Sequence, residues 1–432
     1  MFENSIHFQH PGQKPAVSHS ASEYDSLIIP AQYVITKSER LSGLLNRLMQ
    51  EDGVEFYINP QLPRYRRGSD FRKDTGELSE WNQNIAEYYG EPISGLLSEQ
   101  ENLEYTDLDE EEKKEVIEQG CDLQTDYLDS GTVQEPLSRY CEPAGMETVE
   151  LVPRAVIPWY VKIEGVTDIS INEEIIRHAK SYVDLPLKPC LFVEKDFIRD
   201  EGQRQMLVDM IDDVDLSELF LWVEGVGNTK TVPRTYIAII DLVEQLSDVE
   251  TRPHLFHGSY FSTLLGYFGA RGTGFGVFHQ ESKEEKTGEQ SGGGGDGLKR
   301  YYFDPAKEFL NVQEAASIGA EFDADTCDCT VCEIQVNQWE DVYAIGDEYL
   351  PLQRHYISVR NNQRERIKDT PLEVLLTQLG NAHSTYKDRL GDSDTTAEPY
   401  HLRKWKVAIE EYLSQTDQEV AEFERGAFEV SS

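Results

Sequence analysis

The chain has 432 residues, and its 80 acidic against 40 basic residues give a formal net charge of −40, spread along the whole length. With 22 Tyr, 17 Phe and recurrent apolar runs it is not a disordered acidic protein, and no run approaches the roughly 20 apolar residues that span a bilayer. The start, MFENSIHFQHPGQK, has neither a basic nor an apolar leader segment, so we expect a soluble cytoplasmic protein, its acidity suited to a salt-loaded halophile interior.

In chain order, short β-type runs alternate with helical patterns. DSLIIPA (25–31) is followed by SERLSGLLNRLMQ (38–50), and VEFYIN (54–59) by an irregular stretch to about 150. Next come VIPWYVKIEG (156–165) with NEEIIRHAKSYV (172–183), KPCLFVEKD (188–196) with EGQRQMLVDMIDDV (201–214), and ELFLWVEG (218–225) with VPRTYIAIIDLVEQL (232–246). PHLFHG (253–258) with YFSTLLGYFGA (260–270), and then GTGFGVF (272–278), complete the series. These strands are apolar on both faces, as buried parallel strands are, and repeated strand–helix units imply right-handed crossovers.

Seven strands are one short of a closed barrel, and the eighth lies in 60–150 or is unrecognised. The predicted class is α/β, a (β/α)8 TIM-type barrel over residues 1–280 with a C-terminal zinc-binding subdomain and helical tail over 299–432. The acidic insert at about 99–145 reads as a solvated, at most helical face, and 281–298 (ESKEEKTGEQSGGGGDGL) as a flexible Gly-rich loop. Neither GxGxxG after a strand nor GxxxxGK[ST] occurs, which leaves dinucleotide and P-loop readings without support.

The cysteines give the sharpest local signal. Cys327, Cys329 and Cys332 form C-x-C-x-x-C within CDCTVC, while Cys121, Cys141 and Cys190 are scattered. Three thiolates on a tight turn can converge on one tetrahedral ion. His355 is the next histidine, at the opening of a predicted helix HYISVRNNQRERIK, and it would close a Cys3His set with no position left for water. Structural zinc fits this set; a merely reactive cluster and an iron–sulfur site are the alternatives.

A strand–helix barrel followed by CDCTVC, His355 and a helical tail resembles the tRNA-guanine transglycosylase family, whose members act on tRNA or DNA. The resemblance spans roughly 25–280 as fold and 300–380 as motif, with a somewhat shorter gap to the His than in the bacterial enzymes. It implies exchange of guanine for a 7-deazaguanine-type base, nucleic acid as partner, and a homodimer or partner subunit. In the family one Asp at a late strand end attacks the ribose C1′, and another, usually followed by Ser-Gly-Gly, deprotonates the incoming base. Here Asn59 stands at the early position within YINPQ, and the late position falls near Phe275 or Gly276. Glu281 is the nearest local carboxylate, and Glu224 the other candidate nucleophile. The alternatives to an active enzyme are a degenerate paralogue that binds nucleic acid or a partner, and an unrelated zinc-stabilised barrel enzyme.

Barrel active sites lie at strand C-terminal ends, which here carry Asn59, Lys162, Glu164, Glu194, Lys195, Asp196, Glu224, His257, His279 and Glu281. His257 is the least common type among them and is a candidate site residue, against the reading of a satisfied structural histidine. PRYRRGSDFRK (63–73) brings Arg66 and Arg67 beside Tyr65 and Phe71, a pattern for phosphate contact with base stacking or for a salt bridge to the acidic insert. Arg364 and Arg366, on the helix opened by His355, are the second candidate nucleic-acid contact.

Overall fold

The computed structural model describes residues 2–60, 75–78, 80–95, 104–226, 231–277, 299–390 and 400–429. Eight parallel strands, β1 (Glu3–His7), β2 (Ser26–Pro30), β3 (Glu55–Asn59), β4 (Lys162–Ile163), β5 (Cys190–Val193), β6 (Glu218–Val223), β7 (Arg252–Leu255) and β8 (Gly272–Gly276), run in the order β3-β2-β1-β8-β7-β6-β5-β4. The stretch leading into β4 closes the ring: Arg154 N donates to Phe56 O at 2.9 Å on the β3 side, and Val156 bridges Leu187 on the β5 side. The chain is therefore a (β/α)8 barrel.

The missing eighth strand is β1, not a segment of 60–150. ENSIH escapes an apolar-run criterion because four of its five residues are polar, yet all five are buried. The barrel supplies partners to Glu3, Ser5 and His7. Glu3 accepts from Arg154 (3.1 Å) and Arg271 (2.8 Å), Ser5 Oγ meets Ser26 Oγ at 2.6 Å, and His7 Nε2 lies 2.5 Å from Phe256 O.

Helix α1 (Ala31–Asp52) starts seven residues before the predicted 38–50, with Lys37 at non-helical φ −134°, so the sequence pattern marks only the part beyond the kink. Gly53, at φ 66°, supplies the left-handed residue that ends it. The acidic insert is not merely a solvated face. Helices α2 (Glu110–Asp129) and α3 (Gly131–Ala144) bury Val116, Ile117, Cys121, Leu123, Val133 and Leu137, and they pack on α4 (Val166–Tyr182) and α1, with the acids kept outward. Helices α5 (Glu201–Val214), α6 (Pro233–Asp248) and α7 (Tyr260–Leu264) follow β5, β6 and β7, much as the sequence reads.

After β8 the chain leaves the barrel. Beyond the 281–298 loop, which lies outside the described residues, it forms the hairpin β9 (Arg300–Phe303) and β10 (Glu308–Asn311), then the cysteine loop, and returns as α8 (Tyr349–Asp369). Helix α8 packs against β1 and α7, in the place of the eighth barrel helix. Its docking is polar and specific: Asn4 Nδ2 donates to Arg360 O (3.2 Å), and the Arg360 guanidinium lies 5.1 Å over the Phe275 ring. Helices α9 (Leu372–Leu390) and α10 (Tyr400–Glu429) form the tail, α10 resting on α6. Among the described residues no helix is long and apolar enough to cross a membrane.

Candidate metal centre and barrel mouth

Cys327, Cys329, Cys332 and His355 converge, their ligand atoms all within 4.8 Å of one another, as a set that could hold a metal ion. His355 Nδ1 lies 3.2 Å from Cys329 Sγ and 3.3 Å from Cys332 Sγ. The other ring nitrogen, Nε2, is 2.9 Å from Tyr302 O. A carbonyl only accepts, so Nε2 carries the proton and Nδ1 turns a lone pair to the thiols, as a metal-ligating histidine requires. Tyr301 stacks on that imidazole (4.1 Å, 15°), and its hydroxyl meets Cys332 Sγ at 3.4 Å. His355 does not open its helix, because α8 begins at Tyr349 and presents it from the second turn. Leu352 extends the buried face of that helix toward its N-terminus, beyond what the predicted opening at His355 included. Cys329, Cys332 and His355 are buried, whereas Cys327 is half-buried and faces a cleft of about 670 Å³ beside Asp304 and Arg366. Glu23 ties the loop to the barrel by accepting from Thr330 Oγ1 (3.2 Å) and Ser358 Oγ (2.6 Å).

The strand ends of the barrel form a second cluster of charged and aromatic groups. Tyr160 donates its hydroxyl proton to Asn59 Oδ1 at 3.1 Å, and Asn59 is buried. Lys162 Nζ bridges Glu164 (2.7 Å) and Glu224 (2.5 Å). Burial opposes its charge, but the two carboxylates outweigh it and raise its pKa. Beside this triad Phe192 and Trp222 stack at 3.9 Å and 18°. Trp222 in turn meets the edge of His257 at 5.0 Å, and His257 stacks on His7 at 4.2 Å and 21°. Lys162, Glu224, Asn59 and His257 thus all sit at the C-terminal ends of strands, with an aromatic shelf among them.

Glu281, Arg66 and Arg67 lie outside the described residues. Arg364 does not present itself to a ligand: it is buried and ion-paired with Asp25 at 2.5 Å. Its position on α8 turns it toward the barrel, where the entry of β2 offers a carboxylate. Arg366 is half-exposed and held by Asp304 at 3.2 Å. Of the residues the sequence reading passed over, His7 and Tyr160 stand out. The available signal for His7 was GTGFG, since Gly272 and Gly274 leave room where a Cβ would meet His254 at 2.7 Å and His7 Nε2 at 3.0 Å.

No family model matches this chain, and no curated protein matches it. Among solved structures it is similar to a protein from Coccidioides immitis described as a fructose-1,6-biphosphate aldolase, at 7% identity and TM-score 0.36 over 84% of this chain and 89% of that one. It is also similar to the endo-β-1,4-mannanase of Thermotoga petrophila, at 13% identity and TM-score 0.34 over 64% of this chain and 67% of that one. Likenesses this distant carry no argument about activity.

Proposed function

We propose that the chain is a zinc-held barrel of the transglycosylase type that exchanges a purine-like base at the strand ends, in tRNA or DNA, in a salt-loaded cytoplasm. The observation that carries this reading is Glu224, a carboxylate at the end of β6 fixed by Lys162 next to the Phe192–Trp222 shelf. A carboxylate can stabilise an oxocarbenium-like C1′, bond to it and leave, and an aromatic shelf accepts a planar base. The Cys3His set is closed, so the zinc we assign to it is structural and takes no part in exchange. The test is incorporation of labelled guanine and of a 7-deazaguanine into tRNA and DNA at molar salt, with Glu224→Gln and Glu281→Gln beside the wild type. Loss of exchange in Glu224→Gln alone, with metal content and fold retained, supports the reading; loss in Glu281→Gln alone moves the nucleophile there.

A second reading, a non-catalytic barrel that binds nucleic acid or a partner subunit, is favoured by Asn59, an amide already engaged by Tyr160 where the family carries a carboxylate. Binding without any exchange would establish it.

A further inference from the structure

The ligand atoms of the metal set differ in their access to solvent. Cys329, Cys332 and His355 are buried, whereas Cys327 is half-buried and is the one member of the set that lines the cleft of about 670 Å³ between the metal loop, α8 and α9. The loop beside it is tied down: Asn362 Nδ2 on α8 donates to Asp328 at 3.1 Å, and Thr330 Oγ1 donates to Glu23 at 3.2 Å. A small solute that enters the cleft therefore meets the Cys327 sulfur before the others. Behind it, the sulfurs of Cys329 and Cys332 lie within 4.8 Å, so an oxidised Cys327 has a second sulfur at hand. The scattered cysteines differ on both counts. Cys121, Cys141 and Cys190 are buried, and burial raises their thiol pKa values, which keeps them in the unreactive protonated form.

We infer that Cys327 is a peroxide-reactive modification site, through which a hydroperoxide opens the metal centre and releases its zinc. This rests on the zinc assignment and is independent of base exchange. Zinc, when bound, keeps the three thiols ionised, and the thiolate is the nucleophilic form. The Cys327 sulfur attacks one peroxide oxygen; an S–O bond forms, the O–O bond breaks and hydroxide leaves. Cys332 then attacks the Cys327 sulfur, which forms the S–S bond and expels a second hydroxide. The two thiolates have given two electrons to the peroxide, and solvent protonates both hydroxides to water. Cys332 is the resolving thiol because four residues separate it from Cys327, enough for an unstrained disulfide, whereas a single residue separates Cys327 from Cys329. Cys329 and His355 remain, too few ligands to hold a tetrahedral ion. His355 belongs to α8, which packs against β1, so the oxidation reaches the helix that completes the barrel.

The experiment uses the full chain, its zinc first counted by elemental analysis, then treated with stoichiometric hydrogen peroxide. A zinc-binding dye follows release, and non-reducing peptide mass spectrometry locates the bond. We expect about one zinc released per disulfide formed, the bond at Cys327–Cys332, and recovery on adding dithiothreitol and zinc. Cys327→His, which keeps four ligands, should hold its zinc under the same dose. Thr385→Trp leaves every ligand in place and narrows the cleft from an exposed position on α9, and it should slow release at unchanged zinc content. If Cys327→His does not take up zinc, Thr385→Trp carries the comparison. Zinc retained by the peroxide-treated wild type, first oxidation at Cys121, Cys141 or Cys190, or release from either zinc-loaded variant at the wild-type rate overturns the inference and leaves the zinc assignment standing. A chain purified without zinc overturns that assignment and the inference with it.

Discussion

Arg364 on α8 and Asp25 at the entry of β2 pair at 2.5 Å across 339 residues of sequence, and the same carboxylate accepts from Asn4 N at 2.7 Å. One ion pair thus joins the returning helix to the first two strands. Arg364→Met should destabilise the fold by on the order of 2 kcal/mol, below the cost for a fully buried pair because Asp25 keeps some contact with water. Urea denaturation measures it. An unchanged midpoint together with weakened nucleic-acid binding would return Arg364 to the phosphate role its sequence context suggests.

Metal removal should be felt beyond the metal loop. His355 sits on the helix that also serves as the eighth barrel helix, so stripping the ion frees the N-terminal half of α8 and, with it, the contacts to β1. We expect about one zinc per chain, and loss of it by chelation or by Cys329→Ser to lower the melting temperature of the barrel and of the 300–380 region together. Elemental analysis without metal would refute the zinc assignment. Hydrogen exchange in the apo protein confined to 325–335 would refute the coupling.

The strands that the sequence revealed were those buried by apolar side chains on both faces, and β1 was hidden because its inward residues are paired polar groups. Glu3 needs Arg154 and Arg271, and neither partner is near it in the chain. The cysteine cluster was legible because three of its ligands are nearly adjacent, and the fourth because histidines are few. Helix α8 was read from His355 onward, yet it starts a turn and a half earlier, where buried Leu352 extends the packed face. Arg364 and Arg366 suggested a ligand surface because charge says nothing of direction, and Arg364 in fact points inward. The strand-end triad of Lys162, Glu164 and Glu224 came from two segments, 156–165 and 218–225, each read as a strand end without any sign that the two would meet.

Acid should unfold the protein in two limbs. His254 is fully buried; desolvation, with Lys188, Arg154 and His7 nearby, holds its pKa well below 6.5. The unfolded chain therefore takes up a proton that the native state refuses. Stability is full above about pH 6.5 and falls as pH drops below it, approaching tenfold in the folding constant per pH unit. The second limb belongs to Glu218 at the base of the barrel. Burial opposes its charge, but Lys188 at 3.0 Å, with Arg154 and Arg271, outweighs burial and lowers its pKa below 4.5. Its contribution is present above pH 4.5 and disappears as pH falls through the lowered value. His254→Phe should flatten the first limb and Glu218→Gln the second, read by denaturant titrations from pH 8 to pH 3. A first limb unchanged in His254→Phe would assign it elsewhere.

Salt separates the interior electrostatics from those of the surface. At the base of the barrel Glu3, Glu55 and Glu218 face Arg154, Lys188 and Arg271 in balance, and apart from the exposed Glu55 these partly buried groups are screened less than surface charges. Among the described residues the acidic excess therefore lies outside the core, where Glu110, Glu111 and Glu115 on α2 are exposed and close-spaced. In molar salt the Debye length is about 3 Å and these charges hardly interact, whereas at 0.1 M it is about 10 Å and each acidic group repels its neighbours. The melting temperature should accordingly rise between 0.1 and 2 M salt. Replacing Glu111 and Glu115 by Lys should raise it more at the low-salt end than at the high-salt end, because the repulsion it relieves is already screened in molar salt. A melting temperature indifferent to salt would show that the acidic surface is not an adaptation to it, and an equal gain for the double variant at both ends would assign the effect to helix packing rather than to repulsion.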